Sequence, residues 1–172
     1  AGLGLGAIKE LLAYFLTVVG VLLVHGLCVY PTLLKLLSGL SPAIFLSKLK
    51  PLMMFSFSTS SSNASIPVTM RTAEERLGVD NRVAAFTVPL GATINMDGTA
   101  IMQGVATAFI AQAYNIDIGL GGYMMVILTA TMASIGTAGV PGVGLITLAL
   151  VLEQAGLPVE GIALIIGVDR LL

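Results

Sequence analysis

From Leu11 to Leu34 the chain runs without a single Asp, Glu, Lys or Arg. About 20 apolar residues in helical conformation suffice to cross the hydrocarbon core of a bilayer. This stretch therefore predicts a transmembrane helix over 11–34. Pro31 near its end predicts a kink or a stop, and Lys35 marks the exit toward water. The composition agrees: of 172 residues, 56% are apolar and 10% charged, whereas soluble domains carry about 25% charge. Too little charge is present to cover a water-exposed surface, so the fold class expected is an all-α membrane protein. Net charge is −1 and Trp is absent, which leaves no basic stripe for nucleic acid. The single cysteine, Cys28, excludes an intrachain disulfide framework and a Cys-rich zinc site, and its apolar neighbours suit a packing thiol. His25 lies inside the first span, where a neutral His turned toward a neighbouring helix is the simpler role and a proton carrier the sharper one. The chain opens on AGLGLGAIKELLAYFL, with no initiator Met, basic leader or cleavage site, and stops at GVDRLL within an apolar helical pattern; it reads as part of a longer protein.

The remaining apolar segments do not cross so simply. Ile44 to Phe57 is apolar but contains Lys48, Lys50 and Pro51, and runs into the polar block SFSTSSSNAS. IPVTMRTAEERLG follows as a second short helix, with Ser65 as its cap, Pro67 in its first turn and Gly78 at its end. Two short helices meeting at a serine-rich tip predict a first re-entrant hairpin over 44–78. Asn81 to Ile94 is apolar, is interrupted by Pro89, Gly91 and NMDGT, and resumes as Gly98 to Ile116. These predict one crossing over 81–116, broken in the middle. From Ile118 to Leu152 no charge occurs, yet the centre is SIGTAGVPGVG, whose glycines and proline forbid continuous helix. Each arm then has about a dozen residues, roughly 18 Å against a core of about 30 Å. Neither arm crosses alone, which predicts a second re-entrant hairpin over 122–155. Residues 161–172 begin one more helix.

Basic residues orient this layout. If the first hairpin enters and leaves on one face, Lys35, Lys48, Lys50, Arg71, Arg76 and Arg82 share that face, and the positive-inside tendency makes it cytoplasmic. The flanks of the second hairpin carry no Lys or Arg and face outside. Hairpins entering from opposite sides are the pattern of an inverted repeat, in which interrupted segments point at a binding site near the midplane.

Asp97 is the residue that most needs a chemical explanation. No other charge occurs between Arg82 and Asp117, and a carboxylate at the bilayer centre costs about 2.5–3.5 kcal/mol on insertion scales. A bound cation or proton would offset that cost; an Asp hydrogen-bonded within a helix bundle is the structural alternative. The surrounding GATINMDGT offers Thr93, Asn95 and Thr99 oxygens and carbonyls loosened at Gly91 and Gly98, a hard donor set suited to Na⁺. The serine-rich tip, Ser58 to Ser62 with Asn63, reads either as a flexible linker or, between two half-helices, as hydroxyls and N–H groups suited to a carboxylate. A serine nucleophile would need a base, and the only His is on a separate span outside any hydrolase motif. SIGTAGVPGVG lacks the strand and the Gly-Lys-Ser/Thr ending of a nucleotide loop. It reads as a mobile gate or as close packing through small residues. RTAEERLGVDNR is a solvated turn. No enzyme is expected.

SSSNASIPVTMR, PLGATINMDGT and SIGTAGVPGVG, in that order and spacing, closely resemble the glutamate transporter family, the dicarboxylate/amino acid:cation symporters. The likeness extends over nearly the whole chain. It implies an inverted-repeat, elevator-type transport domain held against a trimeric scaffold, in the inner (plasma) membrane, of which this chain is the C-terminal part. It implies sodium as coupling ion, with Asn95 and Asp97 and the carbonyls of Gly91 and Thr93 at one site, and Ser134, Ile135 and Thr137 carbonyls at another. By the same resemblance Ser60 and Ser62 at the first tip, Thr99 on the broken helix, and Val140 with Gly144 at the second tip surround the substrate. The family's last helix continues with an Asp, an Arg-Thr pair and an Asn that grip the substrate; the chain ends at Leu172 before them, and Asp169 and Arg170 are not that motif. This part by itself is expected to be incapable of transport.

The expected function is sodium-coupled secondary symport of an acidic amino acid (glutamate or aspartate) or a C4-dicarboxylate, with no organic cofactor. A proton-coupled dicarboxylate or neutral amino acid symporter of the same fold is the alternative. A non-transporting membrane scaffold or channel-like pore is the alternative from another class.

Overall fold

A computed structural model gives the fold and describes residues 5–168; the end of the last expected helix, with Asp169 and Arg170, lies outside the described residues. Among the described residues every element is helical and none is a strand. Helix α1 spans Leu5–Val24, a π-helical turn follows over His25–Val29, and α2 spans Tyr30–Ser38. Then come α3 (Pro42–Thr59), α4 (Ser62–Leu77), α5 (Asn81–Ile94), α6 (Asp97–Ala113), α7 (Gly119–Ser134) and α8 (Val143–Gln154). A short 3-10 turn, Val159–Gly161, leads into α9, Ile162–Ile165.

The first span is longer than its uncharged core. Helix runs through Ile8–Ser38, 31 residues, and an 18-residue stretch within it has mean hydropathy 2.3 with 11% of its residues buried. Pro31 does not end it. An α-helix would require an N–H that Pro31 lacks and would press its ring on the carbonyl of Leu27. The helix instead widens just ahead of the proline, and Tyr30 N–H reaches back five residues to His25 O. The end comes at Gly39, which takes the left-handed conformation at φ 69°.

Three further boundaries differ from the sequence expectation for local reasons. Pro51 is accommodated inside the 18-residue α3. The cap of α4 is Ser61, whose side chain accepts Ala64 N–H. Ser65 lies one turn further on, buried, and its hydroxyl donates to Ser61 O at 2.9 Å. Pro89 and Gly91 leave α5 intact; its break with α6 comes only at Asn95 and Met96. Gly78 does end α4, at φ 72°, and Asp80 caps α5 through Arg82 N–H at 2.8 Å.

The chain divides into two compact units, Ala1–Leu22 with Met96–Thr137 and Gly142–Leu172, and Leu23–Asn95 with Ala138–Pro141. The first has an ordinary apolar core: Tyr14 and Val18 of α1, Ala106 and Ile110 of α6, Val126 and Ala130 of α7, Leu148, Val151 and Leu152 of α8, and Ile165 of α9. The core is tight enough that Gly161 passes directly over Ile110, where an added Cβ would lie 2.5 Å from Cγ2.

The second unit is built the other way round. Its buried residues are small or hydroxylated, Ser65 and Thr72 on α4 and Ala84 on α5. Its large apolar side chains point outward, with Phe57 85%, Met54 75% and Phe86 69% exposed. Small residues between helices and large ones outside suit a lipid surround, where lipid gives no hydrophobic drive to bury Phe or Met. Polar groups gather where α3 starts and α4 ends. Lys48 Nζ donates to Arg76 O at 2.7 Å, at the negative end of the α4 dipole, and Asn81 Nδ2 donates to Glu74 at 2.7 Å. Arg71 pairs with Glu75 at 2.9 Å, and that hydrogen bond holds the guanidinium pKa above its ordinary value.

Candidate functional site

The interruption between α5 and α6 creates the most polar backbone in an otherwise apolar stretch. Asn95 (φ −91°, ψ 67°) and Met96 (φ −108°, ψ 41°) leave helical geometry, and Asp97 opens the next helix. The last four carbonyls of a helix and the first four N–H groups of the next have no partner within their own helix. Here both sets fall within a few residues. Gly91 O accepts Asn95 N–H at 2.9 Å, and Thr93 Oγ1 donates to Pro89 O at 3.3 Å, leaving the Thr93 hydroxyl oxygen as an acceptor. Thr93 and Asn95 are exposed, while Asp97 and Thr99 are half-buried in the first turn of α6. That turn carries roughly half a positive charge.

The end of α7 folds its hydroxyls inward. Ser134 and Thr137 are buried; Ser134 Oγ donates to Thr131 O at 2.9 Å and Thr137 Oγ1 to Ala133 O at 2.6 Å. Thr137 N–H closes the turn on Ser134 O at 3.1 Å. Between them Ile135 turns extended and Gly136 takes φ 85°, which a residue with a Cβ resists. The side chain of Ile135 is 46% exposed.

Thr99 and Gly144 are brought together. A Cβ on Gly144 would stand 3.4 Å from Thr99 Cγ2 and 3.0 Å from Met102 Cε, so α8 starts close against α6. Sequence reasoning missed the residue that fixes this approach. Gln103 is fully buried, and its Nε2 donates to Gly144 O at 3.1 Å and Thr147 Oγ1 at 2.6 Å. Its Oε1 is buried with no hydrogen-bond partner. The signal in the sequence is faint: an amide four residues after Thr99, hence on the same helix face, in a run without charge.

At the serine-rich tip α3 ends on Ser60 in the left-handed conformation, φ 47°. Ser61 caps α4, and Ser60 and Ser62 are exposed. The loop 138–141 lies against this tip. Gly139 O accepts Asn63 N–H at 3.1 Å and the Ser61 hydroxyl at 2.7 Å, and a Cβ on Gly139 would fall 2.8 Å from Ser62 Cβ. Val140, the next residue, is 44% exposed.

The expected site residues thus fall into two sets. Ser60, Ser62 and Val140, with Gly91, Thr93 and Asn95, belong to one unit; Asp97, Thr99, Ser134, Ile135, Thr137 and Gly144 belong to the other. Among the described residues no group of three or more His, Cys, Asp or Glu gathers. The donors on offer are carbonyls, hydroxyls, one amide and one carboxylate, a set that suits a hard cation.

A family profile described as the sodium:dicarboxylate symporter family matches residues 1–172. The excitatory amino acid transporter 1 of Rattus norvegicus is 44% identical over 160 residues, 93% of this chain and 30% of that protein. An excitatory amino acid transporter of Caenorhabditis elegans is 44% identical over 164 residues, 95% of this chain and 33% of its own length. The excitatory amino acid transporter 3 of Mus musculus is likewise 44% identical over 164 residues, 95% of this chain and 31% of that protein. The chain spans about a third of the length of these relatives.

Proposed function

Because this chain belongs to the sodium:dicarboxylate symporter family, we propose that its parent protein is a secondary active symporter that carries an acidic amino acid or a C4-dicarboxylate with sodium across the plasma membrane. The observation that carries the reading is the helix break at Asn95–Met96, which ends one helix and lets the next begin at Asp97, in a stretch of sequence with no other charge. A carboxylate at membrane depth is stable when a cation or proton accompanies it. Asp97, Asn95 and the carbonyls of Gly91 and Thr93 hold one sodium. The carbonyls of Ser134, Ile135 and Thr137 hold another. Ser60, Ser62, Thr99, Val140 and Gly144 surround the substrate, whose carboxylate suits the N–H groups and hydroxyls of helix starts.

The helix lengths support two re-entrant hairpins. Helices α7 and α8 have 16 and 12 residues, roughly 24 and 18 Å, against a core of about 30 Å. Neither crosses, and irregular backbone at that depth is tolerated when it lines a cavity. The pair formed by α3 and α4 meets at the serine tip and makes the first hairpin. Sodium binding favours closure of the second tip over substrate, a coupling between sites, and the domain then moves as an elevator against a trimeric scaffold supplied by the rest of the parent.

The test is uptake of labelled L-glutamate and of succinate by the parent protein in proteoliposomes under an inward sodium gradient. Uptake of one of them that needs sodium, and falls at least about a hundredfold in Asp97→Asn, is the expected result. Sodium-free uptake driven by acid overturns sodium coupling. Ion current that persists without substrate or gradient coupling points to a pore.

A further inference from the structure

Two residues of the serine tip and its neighbouring loop have no role in the expected substrate set, yet a short hydrogen bond joins them. Ser61 Oγ donates to Gly139 O at 2.7 Å and accepts Ala64 N–H at 3.2 Å. One hydroxyl therefore caps α4 and holds the loop at once. Asn63 N–H, an otherwise unpaired group of the first helical turn, donates to the same carbonyl at 3.1 Å. Gly139 can present that carbonyl because of a tight turn, closed by Val140 N–H on Ala138 O at 2.8 Å. It must also lack a side chain. A Cβ there would meet Ser62 Cβ at 2.8 Å, Asn63 Oδ1 at 3.0 Å and Asn63 N at 3.1 Å, two of them backbone or first side-chain atoms with no room to yield.

We propose that Ser61 and Gly139 are a positioning pair: the hydroxyl and the Asn63 amide clasp the Gly139 carbonyl, and this clasp sets Val140 and Ser62 at the spacing at which they close over substrate. The inference rests on the symport reading for what is closed over, and on the hydrogen bonds alone for the clasp. Neither residue need touch substrate. Loss of the clasp lets bound substrate escape, so it raises KM while each completed cycle runs at its usual rate.

The variants separate clasp from cap. Ser61→Thr keeps both hydrogen bonds. Ser61→Asp keeps an N-cap acceptor as good as Ser but has no proton for Gly139 O. Gly139→Ala leaves the cap untouched and excludes the loop by contact. In proteoliposomes of the parent protein, with L-glutamate and succinate as probes, Ser61→Ala and Gly139→Ala raise KM about fivefold or more, the effect of one lost hydrogen bond of ordinary strength, with kcat within about twofold. Ser61→Thr stays at the parent value. The double variant Ser61→Ala/Gly139→Ala is no worse than the worse single one, because both remove one link. Amide exchange of Asn63, measured without substrate, quickens at least about tenfold in Gly139→Ala and in Ser61→Asp. Parent-like exchange in Ser61→Asp, a parent-like KM in Gly139→Ala, or additive effects in the double variant each overturn the proposal. If the parent takes up neither probe, the symport reading fails, and the exchange measurement still decides the clasp.

Discussion

At the scale of single residues, backbone contacts settle what side-chain chemistry leaves open. Asp97 stands out in the sequence because charge is scarce around it, and the structure adds that it begins a helix. Gly144 is more instructive, since its importance comes from what a Cβ would touch. Met102 Cε and Thr99 Cγ2 are ends of side chains, so Gly144→Ala is expected to fold, at a cost below about 1.5 kcal/mol, and to raise substrate KM with sodium dependence unchanged; thermal midpoint and uptake kinetics of the parent check both. Gln103 lies deeper. Its amide is bonded to Gly144 O and Thr147, and truncation removes those hydrogen bonds together with a fully buried side chain. Gln103→Ala is therefore expected to cost about 2 kcal/mol, read as a lowered melting temperature. Asp97, Asn95 and the serines were legible because their residue types are out of place in an apolar run. Gln103 and Gly139 were not, because a buried amide and a glycine declare themselves only through neighbours distant in sequence.

At the scale of elements, helix starts and stops obey local rules except where prolines intervene. Gly39 and Gly78 end helices in the left-handed conformation, as glycines at such positions do. Pro31, Pro51 and Pro89 look like breakers in sequence, yet each lies within helix. A proline costs a helix one hydrogen bond and a steric clash. The π turn over His25–Val29 relieves both for Pro31 by shifting the register to five residues. In Pro31→Ala the donor returns and the clash disappears. The turn is then expected to relax toward α-helix, which a structure of the variant checks by the acceptor of Tyr30 N–H. Asp80, by contrast, is an ordinary cap, bonded to Arg82 N–H. Asp80→Ala is expected to cost about 1 kcal/mol, measured as a lower melting temperature with uptake unchanged.

At the scale of the molecule, the large buried apolar side chains lie in one unit and most of the basic residues in the other. Lys35, Lys48, Lys50, Arg71, Arg76 and Arg82 lie in the unit of α3, α4 and α5. On the hairpin reading, cysteines introduced at Val79 and at Asn115 are expected to react with an impermeant maleimide from opposite faces of the membrane, the first from the cytoplasm; labelling from one face overturns the inverted arrangement. In the other unit the fit of Gly161 over Ile110 gives a test of packing. Gly161→Ala forces a Cβ to 2.5 Å from Ile110 Cγ2 and is expected to cost about 1–3 kcal/mol, and Ile110→Val is expected not to restore it, because Cγ2 remains. By itself the sequence determined that this chain is helical, suited to lipid and interrupted at the serine tip, NMDGT and SIGTAGVPGVG, since hydropathy, charge and glycine act through a few neighbouring residues. Only the tertiary structure decided where the prolines are tolerated, that Ser61 rather than Ser65 caps α4, and that Gly139 is clasped beneath it. The last of these depends on a contact between Ser61 and a loop 78 positions away, and no local pattern encodes that distance.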